Sequence, residues 1–106
     1  MRMPTEEERM IRCLLADIHE PLDLLFPGLR TKAHMDPQAE ELSIRIDYDH
    51  AKLGRMGFCH AVSLYQLSIY GREGMVRYLM QEIPRRVLEG LLVKAQQYSQ
   101  SNWYSR

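Results

Sequence analysis

The segment Leu29-Arg30-Thr31-Lys32-Ala33-His34-Met35-Asp36, followed across a polar break by Leu42-Ser43-Ile44-Arg45-Ile46-Asp47-Tyr48, decides the fold class. In the first run Leu29, Thr31, Ala33 and Met35 fall on one side, with Arg30, Lys32, His34 and Asp36 on the other. In the second run Leu42, Ile44, Ile46 and Tyr48 alternate with Ser43, Arg45, Asp47 and Asp49. A period of two on both sides of Asp36-Pro37-Gln38-Ala39-Glu40 predicts a β-hairpin, with strands over 29–36 and 41–48 and one dry face. An isolated hairpin is marginal in water, so helices must cover that face.

The flanking sequence supplies helices. Thr5 and Glu8 have the spacing of a capping box, and Glu6, Glu7 and Glu8 suit the positive end of a helix dipole. Met10, Leu14 and Ile18, with Ile11 and Leu15 beside them, form an apolar stripe at helical spacing. The prediction is a helix over 5–19 that Pro21 ends or bends, and a stop at Pro27-Gly28. Gly54 and Gly57 mark residues 50–57 as a loop. Residues 58–70 fit both templates; Phe58, Ala61, Val62, Tyr65 and Ile69 on one face favour a helix, with a third strand as the alternative. Met75, Tyr78, Leu79 and Ile83 make a further stripe. Pro84 then opens a new helix or kinks a continuous one, and Val87, Leu88, Leu91, Leu92, Ala95 and Tyr98 form a broad apolar face over 85–98. The reading is an α+β fold in a single domain over 1–106: N-terminal helix, β-hairpin, then a mainly helical C-terminal half packed on the hairpin. A short aromatic tail, 99–106, closes the chain.

Length and composition bound the rest. A chain of 106 residues with 45% hydrophobic residues allows one core and leaves little room for a second domain. Fourteen basic and fourteen acidic side chains exclude a globally basic polymer binder and an acidic tail protein. Two cysteines do not make a disulfide scaffold. No apolar run approaches the roughly 18 residues of a membrane span, and the acidic start reads as neither signal nor transit peptide. The expectation is a soluble cytoplasmic domain.

The zero net charge conceals two unequal halves. Residues 1–53 carry 7 basic and 11 acidic side chains, and residues 54–106 carry 7 and 3. Seven of the nine aromatic residues lie in the second half, and arginine exceeds lysine 11 to 3. Arg, Tyr, Trp and Met are the types enriched in interface cores, and seven methionines add adaptable apolar surface.

Constellations for chemistry are sparse. Asp47, Asp49, His50 and His60 have ligand chemistry, but the acids sit on the hairpin's wet side and no paired metal-ligand spacing supports them. Cys59 beside His60 is adjacent in sequence only, and Cys13 reads as a small buried hydrophobe. Nucleophile-elbow, phosphate-loop and dinucleotide fingerprints are absent, and Gly71-Arg72-Glu73-Gly74 reads as a turn between helices. No catalytic residue, metal or cofactor is expected.

The expected function is therefore a non-enzymatic protein-binding module: an assembly component, adaptor or stoichiometric inhibitor. Small phage-encoded accessory proteins offer an analogy of size and style only. The candidate contact residues are Arg72, Arg77, Tyr78, Arg85, Arg86, Trp103 and Tyr104. Arginine pairs bidentately with carboxylates, and a tryptophan after a polar spacer reads as an anchor. The charge asymmetry also permits a homo-oligomer. The alternative is a nucleic-acid-binding regulator, with Arg72, Arg77, Arg85 and Arg86 on phosphates and tyrosines stacking on bases.

Overall fold

Thr5 opens the first helix, α1 (Glu6–Leu25), by accepting a hydrogen bond from the Glu8 amide at 3.2 Å. The structure is a computed structural model that describes residues 5–104, except for the side chains of Glu7 and of residues 101–104. The helix runs past Pro21. The ring deletes one backbone hydrogen bond, but the apolar spacing continues through it: Leu14, Ile18 and Leu22 are all fully buried. Burial of Leu22, followed by Phe26, offsets the local cost. The expected end at residue 19 is thus corrected to Leu25.

The hairpin forms from β1 (Arg30–Asp36) and β2 (Glu41–His50). They pair antiparallel, with Ala33 opposite Ile44 and Asp36 opposite Glu41. Asp36 Oδ1 accepts from the Gln38 and Ala39 amides, and Glu40 takes a positive φ of 52° to close the turn. A third strand, β3 (Gly54–Ser63), pairs antiparallel with β2, giving the sheet order β1-β2-β3. This corrects two expectations, the loop over 50–57 and the helix beginning at 58. Met56, Phe58, His60 and Val62 lie opposite Tyr48, Ile46, Ile44 and Leu42 and share their inward side. Gly54, at φ 87°, turns the chain back at the start of β3.

The last element is α2 (Leu64–Tyr104), kinked at Gly71 into segments 64–70 and 72–104. Ser63 Oγ accepts from the Gln66 amide and caps the first segment, and the Leu64 amide donates to the Glu40 carbonyl. Beyond Gly71 the helix continues through Pro84 without a break. The reason matches that at Pro21: Met75, Leu79, Ile83 and Val87 are fully buried at a spacing of four, three before the ring and one after it. The tail expected from residue 99 is helical as far as Tyr104.

Both helices cover one face of the sheet. α1 packs against β1 and α2 against β3, and the helices touch each other. Leu42, Ile44 and Ile46 from β2 meet Leu14, Ile18, Leu22, Leu79 and Ile83 in one core. The fold is therefore a small α+β domain in which a helical half caps an antiparallel sheet. No helix among the described residues is long and apolar enough to cross a membrane.

Candidate interaction surface

The base of the long helix is fastened to β3 by a polar cluster that spacing alone does not reveal. His60 is the one buried polar side chain among the described residues. Arg86 Nη1 lies 3.0 Å from its Nδ1 and donates to the Cys59 carbonyl at 3.1 Å. A guanidinium only donates, so Nδ1 accepts, and Nε2 carries the proton it shares with Tyr78 Oη at 3.1 Å. The Arg86 guanidinium also sits 4.3 Å above the Phe58 ring. Tyr78 packs its ring on His60 and on Tyr70, with centroids 5.7 Å away in each case.

This cluster holds His60 neutral. Burial lowers its affinity for a proton, and the Arg86 and Arg85 charges act in the same direction; only Glu82 opposes them. In the unfolded chain the imidazole titrates near its ordinary value of 6.5. Below that pH the unfolded state takes up the proton first, so stability falls as pH drops through 6.5 toward the lower folded value. The expected result is a wild-type Tm that drops between pH 7.5 and 5 by more than that of His60→Gln, with the two profiles running parallel above about pH 7.5. Tm profiles parallel over the whole range would show that His60 is not the proton-linked group.

The other candidate arginines are already engaged, with one exception. Arg72 donates from Nε and Nη2 to the two carboxylate oxygens of Asp17, at 2.6 and 3.0 Å, tying α2 to α1 just past the kink. That fork holds Asp17 below the usual carboxylate range. Arg85 bridges Glu82 at 2.6 Å and Glu89 at 2.7 Å on its own helix. Arg77, exposed as Arg72 and Arg85 also are, has no hydrogen bond or ion pair among the described residues and lies beside a shallow recess shared with Tyr70, Gly74, Tyr78 and Gln81. The fold thus brings Tyr78 and Arg86 together through His60 and spreads the remaining arginines along α2. The backbones of Trp103 and Tyr104 end α2, while their side chains lie outside the described residues.

The acid and imidazole constellation is dispersed. Asp47 pairs with Arg45 at 3.0 Å, and Asp49 with Arg55 at 3.1 Å and Arg30 at 3.5 Å, all on the outer face of the sheet. His50 Nδ1 accepts from the Lys52 and Leu53 amides in the β2–β3 turn. His60 faces the helices. Among the described residues, no three His, Cys, Asp or Glu side chains are grouped to hold a metal ion. Gly57 serves the outer face: a Cβ there would lie within 2.6 Å of the Arg45 and Asp47 side-chain ends that cross over it.

Large apolar side chains are uncovered at the end of α1 (Leu24, Leu25), on the first segment of α2 (Tyr65, Ile69, Tyr70) and, in the longest run, on the distal part of α2. The core stripe ends at Val87. Beyond it Leu88 is 58% exposed, Leu92 60%, Val93 53% and Tyr98 56%. Among the described residues, Leu91 and, beneath Gly90, Met56 keep this stretch in touch with the body. The molecule measures 59 × 29 × 28 Å, because the helix projects as an arm; 17 residues from 88 to 104 span about 25 Å. The expected apolar face over 85–98 is therefore divided, its Val87 end within the core and its distal end open to solvent.

No protein-family model, curated protein or solved structure matches this chain.

Proposed function

We propose that this chain is a non-enzymatic protein-binding module, an assembly component, adaptor or stoichiometric inhibitor, and that the distal arm of α2 is its docking element. One observation carries the reading: Leu88, Leu92 and Tyr98 stand more than half exposed on a helix whose preceding four turns are fully buried on their core side. Leu88 and Leu92, at 58% and 60% exposed, still have roughly half of the ~1.5–3 kcal/mol of full burial to gain when a partner covers them. The helix-in-groove mode of recognition uses anchors at this i, i+4 spacing. Arg86, Tyr78 and Arg72 enter this reading as supports, because they hold the helix base against β3 and α1 and so aim the arm.

The nucleic-acid reading has less behind it. Three of its four arginines are tied within the chain. The denser set of cations, Arg30, Lys32, Arg45 and Arg55, lies on the outer sheet face, where Asp47 and Asp49 pair with three of the four.

The test is affinity capture from the native host with the wild-type chain and with the double variant Leu88→Glu, Leu92→Glu. Both leucines lie outside the core, so the variant is expected to keep the wild-type circular dichroism spectrum and thermal transition. Stoichiometric partners held by the wild type should be lost from the folded variant. Retention of the same partners would refute the arm as the docking element.

A further inference from the structure

We infer that the arm docks on the arm of a second copy of this chain, as an antiparallel helix pair with Ala95 at the two-fold axis; this rests on the protein-binding reading above and names its partner. The spacing comes first. Leu88, Leu92, Ala95 and Tyr98 recur at i, i+4, i+7 and i+10, the narrow seam of a two-helix contact. Leu91 borders the seam on the side that packs on the body. Val93, although exposed, falls on the far side of the helix.

The stripe is self-complementary in size. Ala95 lies near its middle, so two backbones can approach to about 8 Å there. An antiparallel arrangement about Ala95 sets Leu92 of each copy beside Tyr98 of the other, and lays Leu88 near the distal end of the other arm. A large ring then faces a mid-sized aliphatic side chain on both sides of a small centre. The two bodies lie at opposite ends of the pair, away from the seam.

Charge points the same way. Residues 88–104 contain one acid, Glu89, and one base, Lys94. Glu89 already bonds to Arg85 within the helix. A strongly acidic or basic partner would find almost nothing to pair with, whereas two identical arms do not repel one another. Size is sufficient but modest. A strip about 25 Å long on each helix buries on the order of 500 Å² per copy, near the lower limit for a specific interface and in the size class of weak, reversible association. The arm itself gains by pairing. Gln96, Gln97, Tyr98, Ser99 and Gln100 are all exposed, and Tyr and Ser are weak helix formers without packing.

The test is sedimentation equilibrium with circular dichroism on the full chain, from about 1 to 300 µM, a range that spans weak association. The wild type should pass from one-chain to two-chain mass with a parallel rise in helical signal. Leu88→Glu with Leu92→Glu should weaken association roughly 100-fold or more, and Val93→Glu should leave it unchanged. In a chain with both native cysteines replaced by serine, Ala95→Cys should form a covalent dimer on mild oxidation. A one-chain mass throughout overturns the inference. So does a dimer that survives the double leucine change, or one lost equally in Val93→Glu. A strictly monomeric wild type whose arm variant still loses its host partner would overturn self-pairing and leave the protein-binding reading standing.

Discussion

Ile83→Ala is expected to destabilise the monomer by about 2–5 kcal/mol, while Leu92→Ala, on the same helix, changes it by less than about 0.5 kcal/mol. The two residues are alike in chemistry and differ in what surrounds them. Ile83 has no exposed surface and packs in the core with Leu14, Ile18 and Ile44. Truncation there forfeits the transfer free energy of three carbons and leaves a void between α2 and the sheet that the strands cannot close. Leu92 touches no part of the core, and alanine is the better helix former at an exposed site. Thermal unfolding, followed at a concentration below the dimer range, should show Tm lower by roughly 10–25 °C for Ile83→Ala and near wild type for Leu92→Ala. A comparable loss in Leu92→Ala would mean that the arm folds back on its own body, which removes the basis for a docking element. The contrast therefore separates the part of α2 that makes the fold from the part that is free to bind.

The hairpin was legible because its two faces differ in chemistry. Leu42, Ile44 and Ile46 alternate with Ser43, Arg45 and Asp47, and register follows from the burial of one side. β3 lacks that contrast. Beyond Arg55 its outward residues Gly57, Cys59 and Ala61 are small rather than charged, and the inward run Met56, Phe58, Val62 is interrupted by His60. His60 reads as polar in sequence, yet the Tyr78 hydroxyl and the Arg86 guanidinium satisfy it inside the protein. Those partners lie 18 and 26 residues away, beyond the reach of any local pattern. The glycines that suggested a loop have other work: Gly54 makes the turn, and Gly57 lets the Arg45–Asp47 pair cross above it. Pro21 pointed in the opposite direction, because its local cost is visible in sequence and the burial that outweighs it is tertiary; at Pro84 the continuous-helix alternative is the one observed. For the candidate surface, the apolar periodicity over 85–98 was readable. Where the body ends was not, since Val87 and Leu88 are equally hydrophobic neighbours and only the fold separates them. The candidate arginines stand out by residue type; Arg72 and Arg86 hold α2 to α1 and β3, while Arg85 pairs within α2 and Arg77 is solvent-exposed.

Gly71→Ala is expected to cost about 1–3 kcal/mol through the backbone alone. Gly71 has φ 67° and ψ −179°, a region essentially reserved for glycine, and a Cβ built there has nothing within 4 Å. The penalty is thus chirality, not crowding. D-Alanine at position 71, introduced by protein semisynthesis, tests this directly. The mirror image of the Gly71 conformation is ordinary extended backbone for an L-residue, so D-alanine fits without strain. It also narrows the unfolded ensemble, and stability should return to the wild-type value or slightly above it. The kink matters because it joins two commitments that a straight helix cannot meet together. Segment 64–70 must bury Leu67 while its Leu64 amide reaches the Glu40 carbonyl, and segment 72–104 must lay Met75, Leu79, Ile83 and Val87 along β3 with Arg72 on Asp17. If L-alanine favoured a continuous helix, one set of contacts would be lost. The stripe from Met75 to Val87 is the larger, so segment 64–70 should detach first. Hydrogen exchange should then show amides 64–70 losing protection in Gly71→Ala while those of 75–87 keep theirs. Equal loss across both segments, or a cost under about 0.5 kcal/mol, would show that the bend is imposed by packing and that Gly71 merely permits it.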